Sequence, residues 1–232
     1  MRIAVTRPEE DAGPLKAKLE ALGHEVTMTP LLVIQPRDSV TIPDLTWQAI
    51  AVTSANGIRA LPQGHSLTSV RTLTVGPQSL KAARAAGFVA EAHGGEVNGL
   101  AAFIRANLDP ADGPILYLSG AETAGDLEAQ LNKAGFACHR LVLYDAVQAN
   151  ELGDTGAALA QGRIDAVLLY SPRGAKIWRA LVEAAHLQES AKIVRHFCLS
   201  RNVAAVLPEA WDNRVAGSPD EAAMLALLEQ CR

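Results

Sequence analysis

The sequence lacks most of the motifs that mark metal, nucleotide and hydrolase chemistry. Its six histidines show no HxxxH or HxxEH spacing, which excludes the common helical zinc motifs. No GxSxG elbow is present, so Ser-His-Asp hydrolysis is not expected. Neither a GxGxxG turn nor a GxxxxGKS/T loop follows a strand, which removes support for nicotinamide and ATP binding. The sequence therefore predicts no metal and no cofactor.

Cysteine, basic blocks and long apolar runs are also scarce. The three cysteines, Cys138, Cys198 and Cys231, stand far apart and predict a reducing compartment without a disulfide framework. The net charge of -4 is spread along the chain without a basic stripe, so no nucleic-acid partner is expected. No apolar run approaches the roughly 20 residues that span a bilayer, and the short N-terminal run predicts a strand. We expect a cytoplasmic protein without membrane contact.

What the sequence does contain is the composition of an α/β protein. Hydrophobic residues make up 49% of the chain, but aromatic residues only 4%. Ala, Leu and Val dominate, as is typical of helices packed on buried parallel strands. The length of 232 residues fits one large domain or two domains of roughly 100 residues each.

One pattern is repeated along the chain: a short β-branched run, a few small polar residues or prolines, and then an Ala- and Leu-rich helical stretch. This pattern is a βα unit. The predicted strands are residues 3–6, 50–53, 72–75, 115–118, 166–170, 197–199 and 215–216. A helix with a loose start is predicted over residues 150–162.

Two apolar stretches, 30–36 and 141–147, break the pattern because neither leads straight into a helix. If they pair as antiparallel strands, the chain leaves a first domain, builds a second and returns. The first domain is then discontinuous, with residues 1–34 and 149–232, and residues 38–141 form an inserted domain. Residues 35–37 and 142–148 would make a two-stranded ribbon hinge.

The repeated strand ends suggest where a ligand would bind. In an open parallel sheet ligands bind beyond the carboxyl ends of the strands, where helix N-termini offer backbone N–H groups. Several such ends would suit an anion with many carboxylates. Any single Ser, Thr, Asn or Gly at such a junction is more often a helix cap or turn residue.

Short motifs at these junctions resemble those of the uroporphyrinogen-III synthase family, in the same order over essentially the whole chain. They are residues 5–8 (VTRP), 52–57 (VTSANG), 75–76 (VG) with Ser79, 143–144 (LY), 170–172 (YSP) and 218–219 (SP). The resemblance implies two flavodoxin-like parallel-sheet domains joined by a two-stranded β-ribbon. It also implies that hydroxymethylbilane binds between the domains, largely through main-chain amides and small hydroxyls.

The resemblance further implies a reaction without a cofactor. Loss of the terminal hydroxyl gives an azafulvene, and attack at the substituted carbon of the last ring leads through a spiro intermediate to uroporphyrinogen III with ring D inverted. Tyr144 matches the tyrosine proposed in the family to assist loss of water, and Ser79 stands where many members have threonine. These two are the predicted catalytic residues.

The resemblance also implies a set of substrate-binding residues, which are polar or glycine positions at the strand-end junctions. They are Arg7, Thr53, Ser54, Asn56, Gly76, Ser119, Gly120, Ser171 and Ser200. Two departures from the family pattern stand out: Val203 replaces a threonine, and residues 120–123 lack an arginine often found in that loop. Arg7 could equally form a structural ion pair, and Tyr144 could equally pack the hinge.

Two other functions are compatible with these sequence features. A two-domain module that closes on a polycarboxylate without catalysis would show the same strand ends. A nucleotide-using sugar-phosphate enzyme would need a glycine-rich phosphate loop that the sequence lacks. For the synthase reading, we expect a monomer that binds hydroxymethylbilane, with a transient contact with the preceding deaminase.

Overall fold

The computed structural model describes residues 1–123 and 125–231 of the chain. Contacts between residues divide the chain into two compact units. Unit 1 consists of residues 1–33 and 147–232, and unit 2 consists of residues 34–146. Each unit is built on its own sheet.

Eleven strands and ten α-helices are found in the described residues. The strands are β1 (Arg2–Val5), β2 (Glu25–Met28), β3 (Leu32–Pro36), β4 (Ala49–Val52), β5 (Thr72–Thr74), β6 (Ala90–Ala92), β7 (Ile115–Gly120), β8 (Cys138–Gln148), β9 (Ala166–Leu169), β10 (Arg195–Cys198) and β11 (Asp212–Val215). The helices are α1 (Glu9–Ala21), α2 (Ala55–Arg59), α3 (Pro77–Ala85), α4 (Val97–Asn107), α5 (Leu127–Lys133), α6 (Gly153–Ala160), α7 (Pro172–Ala184), α8 (Gln188–Lys192), α9 (Arg201–Ala204) and α10 (Glu221–Gln230). Short 3-10 helices occur at Leu67–Ser69 and Pro110–Asp112.

The sheet of unit 1 is parallel throughout and has the order β11-β10-β9-β1-β2. Counted within the unit, this is the 2-1-3-4-5 order of flavodoxin. The order reverses between β1 and β9. A ligand of such a sheet binds beyond the carboxyl ends of these two strands.

The sheet of unit 2 has the order β3-β8-β7-β4-β5-β6, and its strands from β4 to β8 are parallel. Counted within the unit, these five strands have the doubly wound order 3-2-1-4-5. Here the reversal lies between β4 and β7. The predicted fold class, two parallel α/β sheets with a two-stranded ribbon, is confirmed.

Both faces of each sheet are buried under helices, which explains the apolar runs in the sequence. In β1, Ile3 and Val5 pack into one core of unit 1 while Ala4 packs into the other. In β7, Ile115 and Tyr117 face one core of unit 2, and Leu116 faces the core on the opposite side. A strand buried on both faces cannot show a polar alternation.

β3 and β8 form the strand pair in which the chain passes from one unit to the other. The backbone bonds Arg37 N–H to Leu143 O (2.8 Å) and Ala149 N–H to Leu31 O (3.1 Å) show antiparallel pairing. Beyond the end of β3, Arg37 donates from Nε and Nη2 to the Asp145 carboxylate. This bidentate contact lowers the pKa of Asp145.

Two of the observed strands, β2 and β6, were not predicted from the sequence. Both lie at sheet edges, so only one neighbour covers them, and their residues are half-buried or exposed. The predicted segment 141–147 is also longer in the structure, because β8 begins at Cys138 and first pairs in parallel with β7. Short edge strands carry too few apolar residues to stand out from the neighbouring loops.

A histidine lies in the core of unit 1 between two tryptophans. His196 Nε2 accepts a hydrogen bond from Trp178 Nε1–H (3.1 Å), and its ring stacks on Trp211 at 4.7 Å. The side chain is fully buried, and burial lowers the pKa of His196 to about 4. The neutral ring is therefore the form that the folded state requires.

This burial predicts a stability loss in mild acid. The unfolded ring binds a proton below about pH 6.5 while the folded ring stays neutral down to about pH 4, so stability falls with pH across this window. The expected loss is roughly 3 kcal/mol between pH 7 and 4. Urea unfolding at several pH values should show this slope, and His196→Gln should flatten it. The exposed His186→Asn in the same unit is the control, and an unchanged slope in His196→Gln contradicts the assignment.

Candidate functional site

Many of the predicted binding residues lie at the carboxyl ends of the strands where the order of each sheet reverses. In unit 1, Arg7 follows β1 and Ser171 follows β9. In unit 2, Thr53 and Ser54 follow β4, while Ser119 and Gly120 end β7. Ser200 follows β10, and Gly76 follows β5, one strand further along in each sheet.

Arg7 is held by carboxylates and by an aromatic ring within unit 1. Its Nη1 donates to Glu221 (3.2 Å), its Nη2 lies 3.6 Å from Asp11, and the guanidinium lies 4.6 Å from the centroid of the Tyr170 ring. The side chain is 9% exposed. Such a buried arginine with two carboxylate neighbours has the surroundings of a structural ion pair.

Tyr170 ends the apolar run of β9 beside Arg7. Its hydroxyl is buried and has no hydrogen-bond partner among the described residues. Burial raises the pKa of this phenol, and the nearby charge of Arg7 opposes that shift. The hydroxyl therefore stays protonated and can serve as a donor.

Ser171 and Ser200 occupy helix N-cap positions in unit 1. Ser171 Oγ accepts from Gly174 N–H at 3.0 Å and caps α7. Ser200 precedes the short α9 and makes no capping bond with its side chain. Val203, which replaces a threonine of the family pattern, lies in α9 and packs in the core of unit 1.

Thr53 belongs to a polar cluster at the reversal of strand order in unit 2. Its Oγ1 lies 3.0 Å from the hydroxyl of Tyr117, a buried residue of β7. Burial raises the pKa of Tyr117, while the bond to Thr53 and the charge of Arg140 lower it. The cluster therefore contains two hydroxyls and a cation.

Arg140, on β8, reaches the residues that end β7. Its Nε donates to Ser119 Oγ (2.9 Å), and its Nη2 donates to the carbonyl oxygens of Gly120 (2.8 Å) and Ala121 (2.7 Å). Ser119 Oγ only accepts in this contact, so its own proton is left to donate. Arg140 was not among the predicted site residues.

Tyr144 lies on β8 beside the same segment. Its ring packs against Gly120 so closely that a Cβ there would lie 2.6 Å from Tyr144 Cε2. Ala121 N–H donates to the carbonyl oxygen of Tyr144 at 2.9 Å. Tyr144 is buried, with 7% of the residue exposed. No described residue makes a hydrogen bond to its hydroxyl.

Ser54 and Asn56 shape the start of α2. Ser54 Oγ accepts from Asn56 N–H at 3.3 Å, and Asn56 Oδ1 accepts from Arg59 Nη1 at 2.8 Å. Gly57 lets this helix approach β7, because a Cβ there would lie 3.0 Å from the carbonyl oxygen of Leu118. The Ser54 hydroxyl keeps its proton available.

Gly76 and Ser79 form a closed capping arrangement at α3. Ser79 Oγ accepts from Gly76 N–H (3.3 Å) and donates to the Gly76 carbonyl oxygen (3.0 Å). The hydroxyl is buried and uses its one proton inside this loop. To act on a ligand, Ser79 would have to exchange the Gly76 carbonyl for it.

Sequence reasoning missed Arg140 and Tyr117, both of which lie inside β strands. A charged residue two positions after the buried Cys138 shares its side of the strand, and that alternation is the only signal of Arg140. Tyr117 lies in an apolar run, so the sequence predicts a core residue at this position. In residues 1–123 and 125–231, no group of three His, Cys, Asp or Glu could hold a metal, and no helix is long and apolar enough to cross a membrane.

Comparison with known proteins gives a consistent result. The family model described as uroporphyrinogen-III synthase HemD matches residues 13–226. A uroporphyrinogen-III synthetase structure from Helicobacter pylori aligns with a TM-score of 0.65 at 17% identity, covering 100% of both chains. A mutant uroporphyrinogen III synthase structure from Thermus thermophilus aligns at 0.57 and 17%, covering 100% of this chain and 97% of that one. No curated protein matches. These structures share the fold.

The contact between Gly120 and Tyr144 predicts an energetic coupling. Gly120→Ala should destabilise the protein by about 1–3 kcal/mol because the new methyl group displaces the ring. In a Tyr144→Ala background the same change should cost far less. Urea unfolding of the double-mutant cycle measures this coupling. Gly76→Ala, where the added Cβ meets nothing within 4 Å, is the matched control, and additive costs at Gly120 and Tyr144 would refute the contact.

Proposed function

Because the chain belongs to the uroporphyrinogen-III synthase HemD family, an enzyme family of haem biosynthesis, we propose that it closes hydroxymethylbilane into uroporphyrinogen III. The reaction inverts ring D and releases water, which makes the enzyme a hydro-lyase. The match over residues 13–226 carries this proposal. No observation favours a binding module without catalysis.

The donors at the strand ends suit a substrate whose acetate and propionate groups are anionic. Ser54, Ser119 and Ser171 each accept a hydrogen bond from the protein and keep a proton to donate. Hydrogen bonds from such groups to a carboxylate are charge-assisted and stronger than neutral ones. We assign these three serines to substrate binding, together with the remaining predicted positions Arg7, Thr53, Asn56, Gly76, Gly120 and Ser200.

The reaction requires the protein mainly to position the substrate. The pyrrole nitrogen of the substrate expels the terminal hydroxyl, and spontaneous closure of the resulting azafulvene would join the nearest carbon and leave ring D uninverted. An enzyme must hold the chain so that the substituted carbon attacks instead. Holding reacting atoms in one geometry is a large source of rate enhancement on its own.

Tyr144 is the proposed acid that assists departure of the hydroxyl. Its ring is fixed by packing against Gly120, and its hydroxyl has no hydrogen-bond partner among the described residues. A phenol in this setting can donate a proton or a hydrogen bond to a leaving hydroxyl. Ser79 is the second proposed contributor, through a contact with a carboxylate or with the leaving group.

The remaining parts of the proposal concern partners and place. We assign the enzyme to the cytoplasm as a monomer that takes hydroxymethylbilane from a preceding deaminase through a transient contact. No cofactor is needed for the reaction, because the substrate supplies its own electron push and water is the only product released besides the macrocycle.

The isomer of the product tests the function directly. Hydroxymethylbilane is generated in situ with a purified deaminase, the protein is added, and the oxidised products are separated by chromatography. We expect the type III uroporphyrin isomer to dominate with the protein present, because the enzyme imposes inversion of ring D. The blank without protein should give type I.

Persistence of the type I isomer with folded protein would reject the synthase. A circular-dichroism spectrum and a cooperative thermal transition establish that the sample is folded. In that event, binding of polycarboxylates without turnover is the second candidate.

Replacement of Tyr144 by Phe tests the proposed acid. The variant keeps the ring against Gly120, so its thermal transition should match that of the wild type. Turnover should fall by roughly 10- to 10⁴-fold because only the hydroxyl is lost. Thr46→Val, an exposed hydroxyl to methyl change in the same unit that precedes the amino end of β4, serves as the control. Wild-type turnover in Tyr144→Phe removes the assignment.

A further inference from the structure

Arg140 is a half-buried cation whose immediate partners are all uncharged. The three acceptors that hold it are a serine hydroxyl and two backbone carbonyl oxygens. No described carboxylate lies within ion-pair distance of it. The other arginine at a strand end, Arg7, has two carboxylate neighbours. Arg140 therefore keeps an uncompensated positive charge.

A count of its N–H groups shows which part of the guanidinium is engaged. The group has five donors: one at Nε and two at each Nη. The Nε donor binds Ser119, and the two Nη2 donors account for the bonds to Gly120 and Ala121. The two Nη1 donors have no acceptor among the described residues. Nη1 is therefore the edge at which an external acceptor can bind.

The energetics of this arrangement favour an anion. Removing a cation from water costs free energy unless an opposite charge compensates it, and hydrogen bonds to neutral groups satisfy donors without neutralising charge. The three bonds hold the side chain in one place, so little rotamer entropy remains to be lost on binding. An arginine fixed in this way is prepared for a carboxylate.

The position matches the place where a parallel sheet binds its ligand. Arg140 reaches the carboxyl end of β7, one of the two strands between which the order of the unit 2 sheet reverses. The hydroxyls of Thr53 and Tyr117 lie at the same reversal, and the charge of Arg140 acts on Tyr117. A carboxylate at this point would meet a cation and small hydroxyl donors together.

We propose that Arg140 is a substrate-binding residue that receives an acetate or propionate carboxylate of the tetrapyrrole through its Nη1 edge. This inference rests on the proposed function, because the synthase reaction supplies the polycarboxylate ligand. The same arginine fixes residues 119–121, against which Tyr144 packs, so the bound carboxylate is placed close to the proposed acid.

Two substitutions separate the charge of Arg140 from its bonds to the loop. Arg140→Gln removes the charge but can still donate to a carbonyl oxygen, whereas Arg140→Lys keeps the charge and loses the planar fork. Arg84→Gln is the matched control. Arg84 also lies in unit 2 and donates only to a backbone carbonyl, that of Ala90 at the start of β6, away from the carboxyl ends of the strands.

The first measurement is a fluorescence titration with uroporphyrin, a stable polycarboxylate macrocycle, which requires no turnover. Arg140→Gln should weaken the Kd by roughly 10- to 100-fold, as expected for loss of a charge-assisted hydrogen bond. Arg140→Lys should weaken it less, and Arg84→Gln should leave it unchanged. The dependence of the Kd on salt should become shallower in Arg140→Gln, since one charge pair is lost.

The second measurement is steady-state kinetics on hydroxymethylbilane with the same variants. KM should rise in Arg140→Gln more than kcat falls, because the carboxylate is bound in the ground state and the transition state alike. Equal losses in the Gln and Lys variants, with a wild-type salt dependence, would show a structural clamp and overturn the proposal. An affinity of Arg140→Gln within twofold of wild type would also overturn it.

These outcomes are separable from failure of the proposed function. If the wild type forms no type III isomer, the synthase assignment fails, and the uroporphyrin titration still decides whether Arg140 binds a carboxylate. If the wild type forms type III and Arg140→Gln keeps its Kd and KM, only the role of Arg140 is rejected. Thermal transitions of all variants establish that the folded state is being compared.

Discussion

Burial of both faces of each parallel sheet is the constraint on which the rest of the structure depends. Helices cover the two sides, so side chains such as Val5 and Leu168 have no route to water along the strands. Many of the small polar residues follow the strands at their carboxyl ends, where Ser54, Ser171 and Ser200 precede helices. The proposed binding residues are therefore those that packing leaves at the ends of the strands.

The same constraint gives the two strand-end arginines different partners. Arg7 emerges beside the N-terminal part of α10, whose Glu221 neutralises it together with Asp11. Arg140 lies within the partly buried strand β8, where its hydrogen-bond acceptors are main-chain carbonyl oxygens and a serine hydroxyl. Arg7 thus has two anionic neighbours, whereas the acceptors that hold Arg140 are uncharged. From the sequence, Arg7 was predicted to bind substrate or to form a structural ion pair, and Arg140 was not singled out.

Periodicity and junction chemistry were enough to predict the α/β class, the central strands of both sheets and the pairing of the two irregular segments. The edge strands β2 and β6 were not predicted, because their half-exposed residues form no apolar run. Ser54 and Ser171 were predicted to bind substrate from the family resemblance, and the structure shows both residues in the capping role that such positions commonly have. The contacts of Arg140 could not be predicted, because they depend on β8 lying beside β7, a long-range pairing that local sequence does not encode.

The division of unit 1 into two chain segments has a consequence for synthesis. β1 and β2 leave the ribosome first, but β9, the other neighbour of β1, follows more than a hundred residues later. At translation rates of roughly 5–20 residues per second, about 7–30 s pass between synthesis of β2 and of β9, and until then Ile3 and Val5 lack their neighbours on β9. Unit 2, which is continuous, can complete its sheet during that interval. The sheet of unit 1 therefore cannot be completed until all the strands of unit 2 have been synthesised.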